Sequence, residues 1–492
     1  MASISELRES RLQKLRLLEK AGKEIFPAKT NKDHDAISIL AGFDVFCESK
    51  EQLIVAGRLL AIRAHGSAAF LDLFDGTGKL QLHLKEDVLG KESFDLFVNS
   101  IDIGDFIEAY GTAFKTKRGE STLEVTEWKL LTKSLLPLPE KWHGLVNDDE
   151  RYRKRYLDLL QNNGLRDLFV KKSKFWDVTR TFLKEKGFLE VETPVLETTT
   201  GGAEARPFKT HHNDFDLEVY LRISVGELWQ KRLMAAGFPK TFEIGKVYRN
   251  EGGSLEHLQE FTNMEFYWAY ASYEDGMRLV EEMYKRIAIE VFGKTEFECR
   301  GHKFDLGKEW VRIDYREEVL RQTGVDVISA SDDEIKSKLQ ELHIKYDGTN
   351  RERLTDTLWK YCRKNIAGPA LLINHPKIIA PLAKAMHDNL ELTESFQPII
   401  AGSEVGRGYS ELNDPIDQRN RFEHQQKLLE GGDEEAMMPD WEFVEMLEHG
   451  MPPTCGFGFG ERLFAILAGV SMREAQLFPL MRPEQRTEVE DE

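Results

Sequence analysis

The chain has 492 residues, 41% of them hydrophobic and 31% charged, with a net charge of −18 from 67 basic against 85 acidic side chains. This is ordinary globular composition and excludes collagen-like, mucin-like and wholly disordered chains. No window offers the ~18 uncharged apolar residues of a membrane span, and the acidic total excludes an overall basic clamp for nucleic acid. Any nucleic acid must therefore meet a local basic face. Met1 to Lys20 mixes acids and bases without an apolar core, unlike a signal peptide. Four widely spaced cysteines (Cys47, Cys299, Cys362, Cys455) make no Cys-x-x-Cys and point to a reduced, cytoplasmic setting.

In chain order, residues 3–24 are predicted helical, because Ile4, Leu7, Leu15 and Leu18 recur near helical spacing. Ser3 and Glu6 have the spacing of a capping box. With Arg8, Arg11, Lys14 and Arg16 between the apolar positions, the helix reads as an amphipathic cap on the body or as a basic arm. Residues 51–135 alternate as strands do at 53–62, 69–74, 80–84, 106–114 and 123–128, with a turn at Asp75-Gly-Thr-Gly78 and a helix near 85–100. Five short strands with one intervening helix predict a small Greek-key barrel of the OB type. Such barrels stack single-stranded bases on aromatics within a basic groove. Phe70 reads as a stacking platform or as core. Arg63, Lys115, Lys117 and Arg118 are candidate phosphate contacts. A proline-punctuated linker follows at 136–150. An α+β region comes next, with a helix at 170–187, a strand at 188–191, long strands at 241–249 and 260–270, and a helix at 275–292. The charged helical stretch 330–365 reads as an insertion, and a strand-turn-helix at 454–469 precedes a tail expected to be disordered.

Three segments carry chemistry. In Phe242 to Gly252 and Gln259 to Tyr267, two strands flank a polar loop, with Arg249 and Glu251 ending the first. Phe261, Glu265 and Tyr267 alternate and so share one face of the second. Charges at this density among apolar neighbours are costly unless they serve a ligand. In Ser403 to Asp414, Glu404 and Glu411 sit among glycines that let a ligand approach. Carboxylates there suit Mg²⁺ near phosphates or simply an acidic surface loop. In Cys455-Gly-Phe-Gly-Phe-Gly-Glu-Arg462, alternating glycines suit a strand against which something flat lies, or a close-packed core strand. The spacing is wrong for a dinucleotide fingerprint.

Together these segments resemble the class II aminoacyl-tRNA synthetases of the aspartate/asparagine/lysine subgroup, most closely the bacterial-type lysyl enzymes. Motif 1 is matched at Gly187 to Pro194, motif 2 at Val247 to Thr262 and motif 3 at Gly456 to Arg462. The subgroup's Arg151-Tyr-Arg-Lys-Arg-Tyr-Leu-Asp158 and Gly201-Gly-Ala-Glu-Ala-Arg-Pro-Phe208 are also present. The resemblance implies a helical extension over 1–50 and an anticodon-binding barrel over 51–135. A catalytic domain built on an antiparallel sheet flanked by helices would span 151–485, with a helical insertion near 320–370, and a disordered tail 486–492.

The implied activity is lysine–tRNA ligation. L-lysine and ATP give an adenylate and pyrophosphate, and lysine passes to the 3′-terminal adenosine of tRNA(Lys). The resemblance assigns Glu227, with the backbone near Gly202, to the α-amino group. Tyr267 and Glu411 would hold the side-chain ammonium, supported by Glu265. Arg249 would bridge the lysine carboxylate and the α-phosphate. Glu251 and His257 would line ATP, Phe261 would stack on adenine, Arg462 would meet the γ-phosphate and Glu404 would bind Mg²⁺. Phe70, Gln81, Glu127 and Arg63 would read the anticodon. A homodimer without membrane association is implied. Aspartyl or asparaginyl activity, and a non-catalytic tRNA-binding paralogue, are the alternatives. Lys171, Lys172 and Lys174 are candidates for a local basic surface.

Several positions depart from the family pattern. Its usual Asn is Arg407, and its second metal carboxylate is Gln397, which leaves the number of Mg²⁺ ions open. Its Arg-His-Asn-Pro-Glu-Phe loop reads Glu256-His-Leu-Gln-Glu-Phe261. Motif 3 has Glu461 where Asp is usual.

Overall fold

A computed structural model describes residues 3–139, 145, 147–203, 205–346 and 350–484. Two compact units divide at Arg151/Tyr152. In the first, β1 (Gln52–His65), β2 (Ala68–Phe74), β3 (Lys79–Lys85), β4 (Phe106–Lys115) and β5 (Ser121–Thr132) close into a barrel of order β1-β2-β3-β5-β4. Leu71, Leu73, Leu80, Leu82 and Leu84 point inward and are fully buried, as period-two strands require. The helix Lys91–Ser100 lies between β3 and β4 in sequence and sets Phe97 edge-on against Trp128 of β5.

The helix Ile4–Lys20 begins at a complete Ser3/Glu6 capping box. Leu15 and Leu18 pack on the barrel core. Arg11 donates to the carbonyls of Ser134 and Ile103, and Lys14 pairs with Asp102 at 2.6 Å. Two of its cations are therefore committed to the barrel, as the cap reading requires. Two short helices, Ala36–Ala41 and Phe43–Ser49, were not foreseen.

The second unit is organised by a nine-stranded sheet. Its strands are β6 (Leu189–Glu190), β10 (Lys240–Tyr248), β11 (Glu260–Ala269), β14 (Val311–Asp314), β15 (Ala370–Ile373), β16 (Ser395–Ile400), β17 (Ser403–Glu404), β18 (Arg407–Ser410) and β19 (Thr454–Gly460). The order is β14-β15-β16-β18-β19-β11-β10-β6, with β17 paired beside β16. All pairs are antiparallel except β14/β15 and β10/β6. Smaller sheets come from β7 (Leu196–Glu197), β8 (Lys209–His212) and β9 (Leu217–Leu221), and from β12 (Glu296–Cys299) with β13 (His302–Asp305).

One face of the large sheet is core. Phe242, Met264, Phe266, Phe457 and Phe459 pack there against the helices Asn163–Glu185 and Tyr273–Ile287. The first of these helices starts seven residues before the predicted 170. Asn162 caps it by accepting from the Leu165 N–H, which offsets the poor helix propensity of Gly164 in its first turn.

The insertion is more than surface. Ile335 and Leu339 of the helix Asp332–Glu341 join Leu354 and Leu358 of the helix Arg351–Cys362 in a separate core. That core carries Trp359 and Arg363 toward the large sheet. Among the described residues no helix is long and apolar enough to cross a membrane. All four cysteines are free thiols. The expected tail 486–492 and Glu204 of the Gly201–Phe208 segment lie outside the described residues, as does part of the expected linker.

Candidate active site

The second face of the large sheet is polar, and its register sorts the side chains. On β11, Phe261, Asn263, Glu265 and Tyr267 share this face, and the last three lie opposite Gly460, Gly458 and Gly456 of β19. The glycines make room. A Cβ at Gly456 would lie 2.0 Å from Oε1 of Glu411 and 2.7 Å from the Tyr267 ring, and one at Gly458 would lie 2.8 Å from Glu265. The alternating glycines therefore clear space for this chain's own buried side chains. β18 adds Tyr409, opposite Gly456.

Three buried carboxylates meet here. Glu227 stands in the first turn of the helix Glu227–Ala235, which opens after Gly226 in the left-handed conformation. Glu265 comes from β11, and Glu411 follows β18. Glu265 accepts from the Val225 N–H at 2.8 Å, the Asn263 amide at 3.0 Å and the Tyr267 hydroxyl at 3.1 Å. Gly202 packs against Glu227: a Cβ there would lie 2.6 Å from the Glu227 Cβ, and the φ of +88° suits only glycine.

Sequence reasoning missed the centre of this cluster. Lys231, one helical turn beyond Glu227 and 1% exposed, places its ammonium 2.8 Å from Glu227 and 2.6 Å from Glu411. The i,i+4 Glu–Lys spacing was visible in the sequence and was the available signal. Tyr409, also missed, donates its hydroxyl to Glu227. A second pair braces the floor. Arg222 donates to Glu243 at 2.6 Å, and Glu243 also accepts from the backbone and hydroxyl of Thr193.

With Glu243 paired, three carboxylates face one ammonium, an excess of two negative charges when all are ionised. Burial first, then the neighbouring Glu227, pushes Glu265 up to about 7. Burial pushes Glu411 up to about 8 against the opposing pull of Lys231. Lys231 stays charged, its pKa raised because the two carboxylates outweigh its own desolvation. These carboxyls thus hold protons where cations are too few to balance them.

Away from the acids the site turns basic. Arg249, half-buried, donates to the Ile223 carbonyl and lies 5.4 Å from the Phe261 ring centroid. Arg462, half-buried, donates to the backbone carbonyls of Glu256 and Glu404. Desolvation and then Arg462 lower His257 to about 4, so it is neutral at pH 7. Its Nδ1 is hydrogen-bonded to the Ser254 hydroxyl in the β10–β11 loop. Glu251, in the same loop, accepts at its carbonyl from Gln259.

The residues at the expected metal positions have protein partners. Glu404 accepts from the Trp359 indole at 2.8 Å and lies 3.7 Å from Arg363. Gln397 is engaged with His375 at 3.1 Å, and Arg407 turns its guanidinium to the Ile379 carbonyl. Among the described residues no three His, Cys, Asp or Glu side chains group as a metal ion would need. Glu404 is thus the one carboxylate of the expected pair, and a Mg²⁺ here would be held by it together with phosphate oxygens of ATP, as is usual for this ion.

On the barrel, Arg63, Phe70 and Gln81 come together on the outer face. Phe70 pairs across strands with both Arg63 and His83, and its ring stacks on His83 at 4.3 Å. Arg63 donates to Asp72, and Gln81 accepts from Thr122. Glu127 does not join them. It lies five residues past Thr122 on β5, opposite Tyr110. Glu120, which sequence reasoning passed over, is after Asp72 a second acid within electrostatic reach of Arg63. Lys117 and Arg118 are exposed, whereas Lys115 pairs with Asp44. Lys172 is no surface cation, since it pairs with the buried Glu461 at 3.0 Å.

Comparison with known proteins yields two family matches. Residues 147–482 match tRNA synthetases class II (D, K and N), and residues 53–131 match the OB-fold nucleic acid binding domain. Curated relatives named lysine–tRNA ligase include those of Thermotoga maritima (42% identical over 99% of this chain and 98% of the relative) and Roseiflexus sp. (43%, over 98% and 99%). Another is that of Halalkalibacterium halodurans (42%, over 97% of each chain).

Proposed function

The chain belongs to the class II tRNA synthetases of the aspartate, lysine and asparagine group, and from that membership we propose that it is a lysine–tRNA ligase. The observation that carries the choice of amino acid is the excess of two buried carboxylates around Lys231. Lysine brings two ammonium groups and one carboxylate. Its ammoniums match the excess, with Glu227 and Gly202 at the α-amino end and Tyr267, Glu411 and Glu265 at the side-chain end. An aspartate or asparagine side chain would leave those acids without a cation.

The lysine carboxylate then faces Arg249 and attacks the α-phosphorus of ATP in line. A carboxylate oxygen–phosphorus bond forms, the bond to the bridging oxygen breaks, and its electron pair leaves with pyrophosphate. Positioning and charge neutralisation accomplish this without a protein base. Phe261 stacks on adenine, Glu251 and His257 line the nucleotide and Arg462 meets its terminal phosphate. Mg²⁺ enters as part of the substrate, carried on the ATP phosphates. A ribose hydroxyl of the 3′-terminal adenosine of tRNA(Lys) next attacks the adenylate carbonyl, an ester bond forms and AMP leaves with the electron pair of the broken acyl–oxygen bond, while Phe70, Arg63 and Gln81 meet the anticodon. The working form is a cytoplasmic homodimer, with motif 1 at an isologous interface.

The test is ATP–pyrophosphate exchange with each of the twenty amino acids, for the native chain and Glu411→Gln. Exchange with lysine alone, lost in the variant, supports the reading. Exchange with aspartate or asparagine, or with none, overturns it.

A further inference from the structure

The basic end of the site contains a charge reversal and an answer to it. Position 256, where the family resemblance leads one to expect arginine, is glutamate. Its carboxylate is not turned loose among phosphates. It pairs with Arg300 and accepts from the Ser403 hydroxyl, and its other oxygen lies 3.7 Å from Arg363.

Arg363 ends the insertion helix and is 8% exposed. Its Nη1 donates to the Gly402 carbonyl at 2.8 Å, and its Nε, also buried, has no hydrogen-bond partner. The Glu404 carboxylate is 3.7 Å from it, beyond hydrogen-bond distance, and already takes the Trp359 indole. Leaving a buried guanidinium nitrogen unbonded is costly unless a ligand completes it.

Electrostatic neighbours place this group in line with the others. Arg249 is within reach of Glu265, Arg462 is within reach of both Arg249 and Arg363, and His257 is within reach of Arg462 and Arg363. The cations thus run Arg249, Arg462, Arg363 away from the acid pocket. Three guanidiniums (Arg300, Arg363, Arg462) meet two carboxylates (Glu256, Glu404) at the far end, which leaves a net positive charge there. Phosphate oxygens are matched by such forks.

We propose that Arg363, delivered by the insertion and held by Glu256, is a polyphosphate-binding residue that neutralises the pyrophosphate end of ATP during adenylation. The inference rests on the ligase reading. It gives the helical insertion a role in the first half-reaction. In that step the α-phosphorus–oxygen bond breaks and negative charge accumulates on the departing pyrophosphate. The second half-reaction contains no pyrophosphate, so Arg363 has nothing to bind in it.

The test separates the two halves in Arg363→Gln and Arg363→Lys. In pyrophosphate exchange, Arg363→Gln is expected to raise the KM values for ATP and pyrophosphate about 10- to 100-fold, as loss of a charge-assisted contact does, with the KM for lysine unchanged. Arg363→Lys, which keeps charge but loses the fork, is expected to fall between. Single-turnover transfer from preformed lysyl-adenylate to tRNA is expected to stay within twofold of the native rate. ATP and pyrophosphate KM values within twofold of native in both variants overturn the proposal, as does slowing of adenylation and transfer by equal factors. Should Arg363→Gln not fold, Arg363→Lys alone carries the same comparison. If the native chain exchanges with no amino acid or with a different one, the ligase reading fails instead.

Discussion

Lysine binding is expected to expel protons from the pocket, and the structure sets their number. Without substrate, Glu265 titrates near 7 and Glu411 near 8, while Lys231 keeps its charge beside Glu227. The pocket therefore carries less negative charge at pH 7 than three ionised carboxylates beside Lys231 would give. Two incoming ammonium groups restore neutrality only if both carboxyls ionise. Both carboxyls hold protons in part at that pH, so binding releases about one to two protons at pH 7 and fewer as pH rises past 8. The two titrate as a coupled set, so the sum is the quantity to measure. Where one proton must leave, lysine affinity rises ~10-fold per pH unit and levels off above about 8. Calorimetric titration of lysine in buffers of different ionisation enthalpy reads the number directly as a slope. Glu411→Gln should reduce the release at pH 7, because one of the two titrating carboxyls is gone. A slope of zero at pH 7, or an affinity flat from pH 6 to 8, would refute the charge-balance reasoning.

Three other outcomes follow from particular contacts. Gly456→Ala should cost about 1–3 kcal/mol of stability and raise the KM for lysine more than that for ATP. The new Cβ would press on Glu411 and Tyr267, and thermal unfolding beside pyrophosphate exchange checks both halves. Without lysine, unfolding stability should fall as pH rises from about 4.5 to about 8. Glu265 and Glu411 keep protons in the fold that the unfolded chain has already lost, so the native state binds more of them. The thermal shift produced by lysine should accordingly grow over the same range. Phe70→Ala should lower kcat/KM for tRNA by about 5- to 100-fold, the worth of one base-stacking contact, and leave pyrophosphate exchange unchanged.

The barrel and the motif strands were legible because period-two alternation and turn residues are local signals. The 53–62, 69–74 and 80–84 runs fall inside β1, β2 and β3. The shared face of Phe261, Glu265 and Tyr267 was legible for the same reason. The partners of those side chains were harder to see. Lys231 reads as one more cation on an amphipathic helix until the fold brings Glu411 to it from 180 residues away. Trp359 and Arg363 sit in a stretch that shows only helical charge. Their reach to Glu404 depends on β15 joining the large sheet beside β16. Lys172 erred the other way, since nothing local distinguishes it from its exposed neighbours Lys171 and Lys174. Glu461, its partner, is 289 residues downstream.

The register of two strands explains how one surface holds opposite charges without collapsing them onto each other. Along β11 the site face runs from Phe261, beneath Arg249, through Asn263 to Glu265 and Tyr267. Asn263, donating its amide to Glu265, is the neutral step between the basic end and the acid end. Its β19 counterpart is Gly460, so neither strand contributes an ion at the junction. A charged residue at either place would bridge Arg249 to Glu265 and close the space that a lysine carboxylate and an α-phosphate must share. On the reverse of β19, Phe457 and Phe459 anchor the same residues in the core, with Phe457 stacked 5.4 Å from Phe396. Rigid aromatic packing on one face therefore holds the glycines of the other in register. The separation of acid and base across the site depends on core packing as much as on the charged residues themselves.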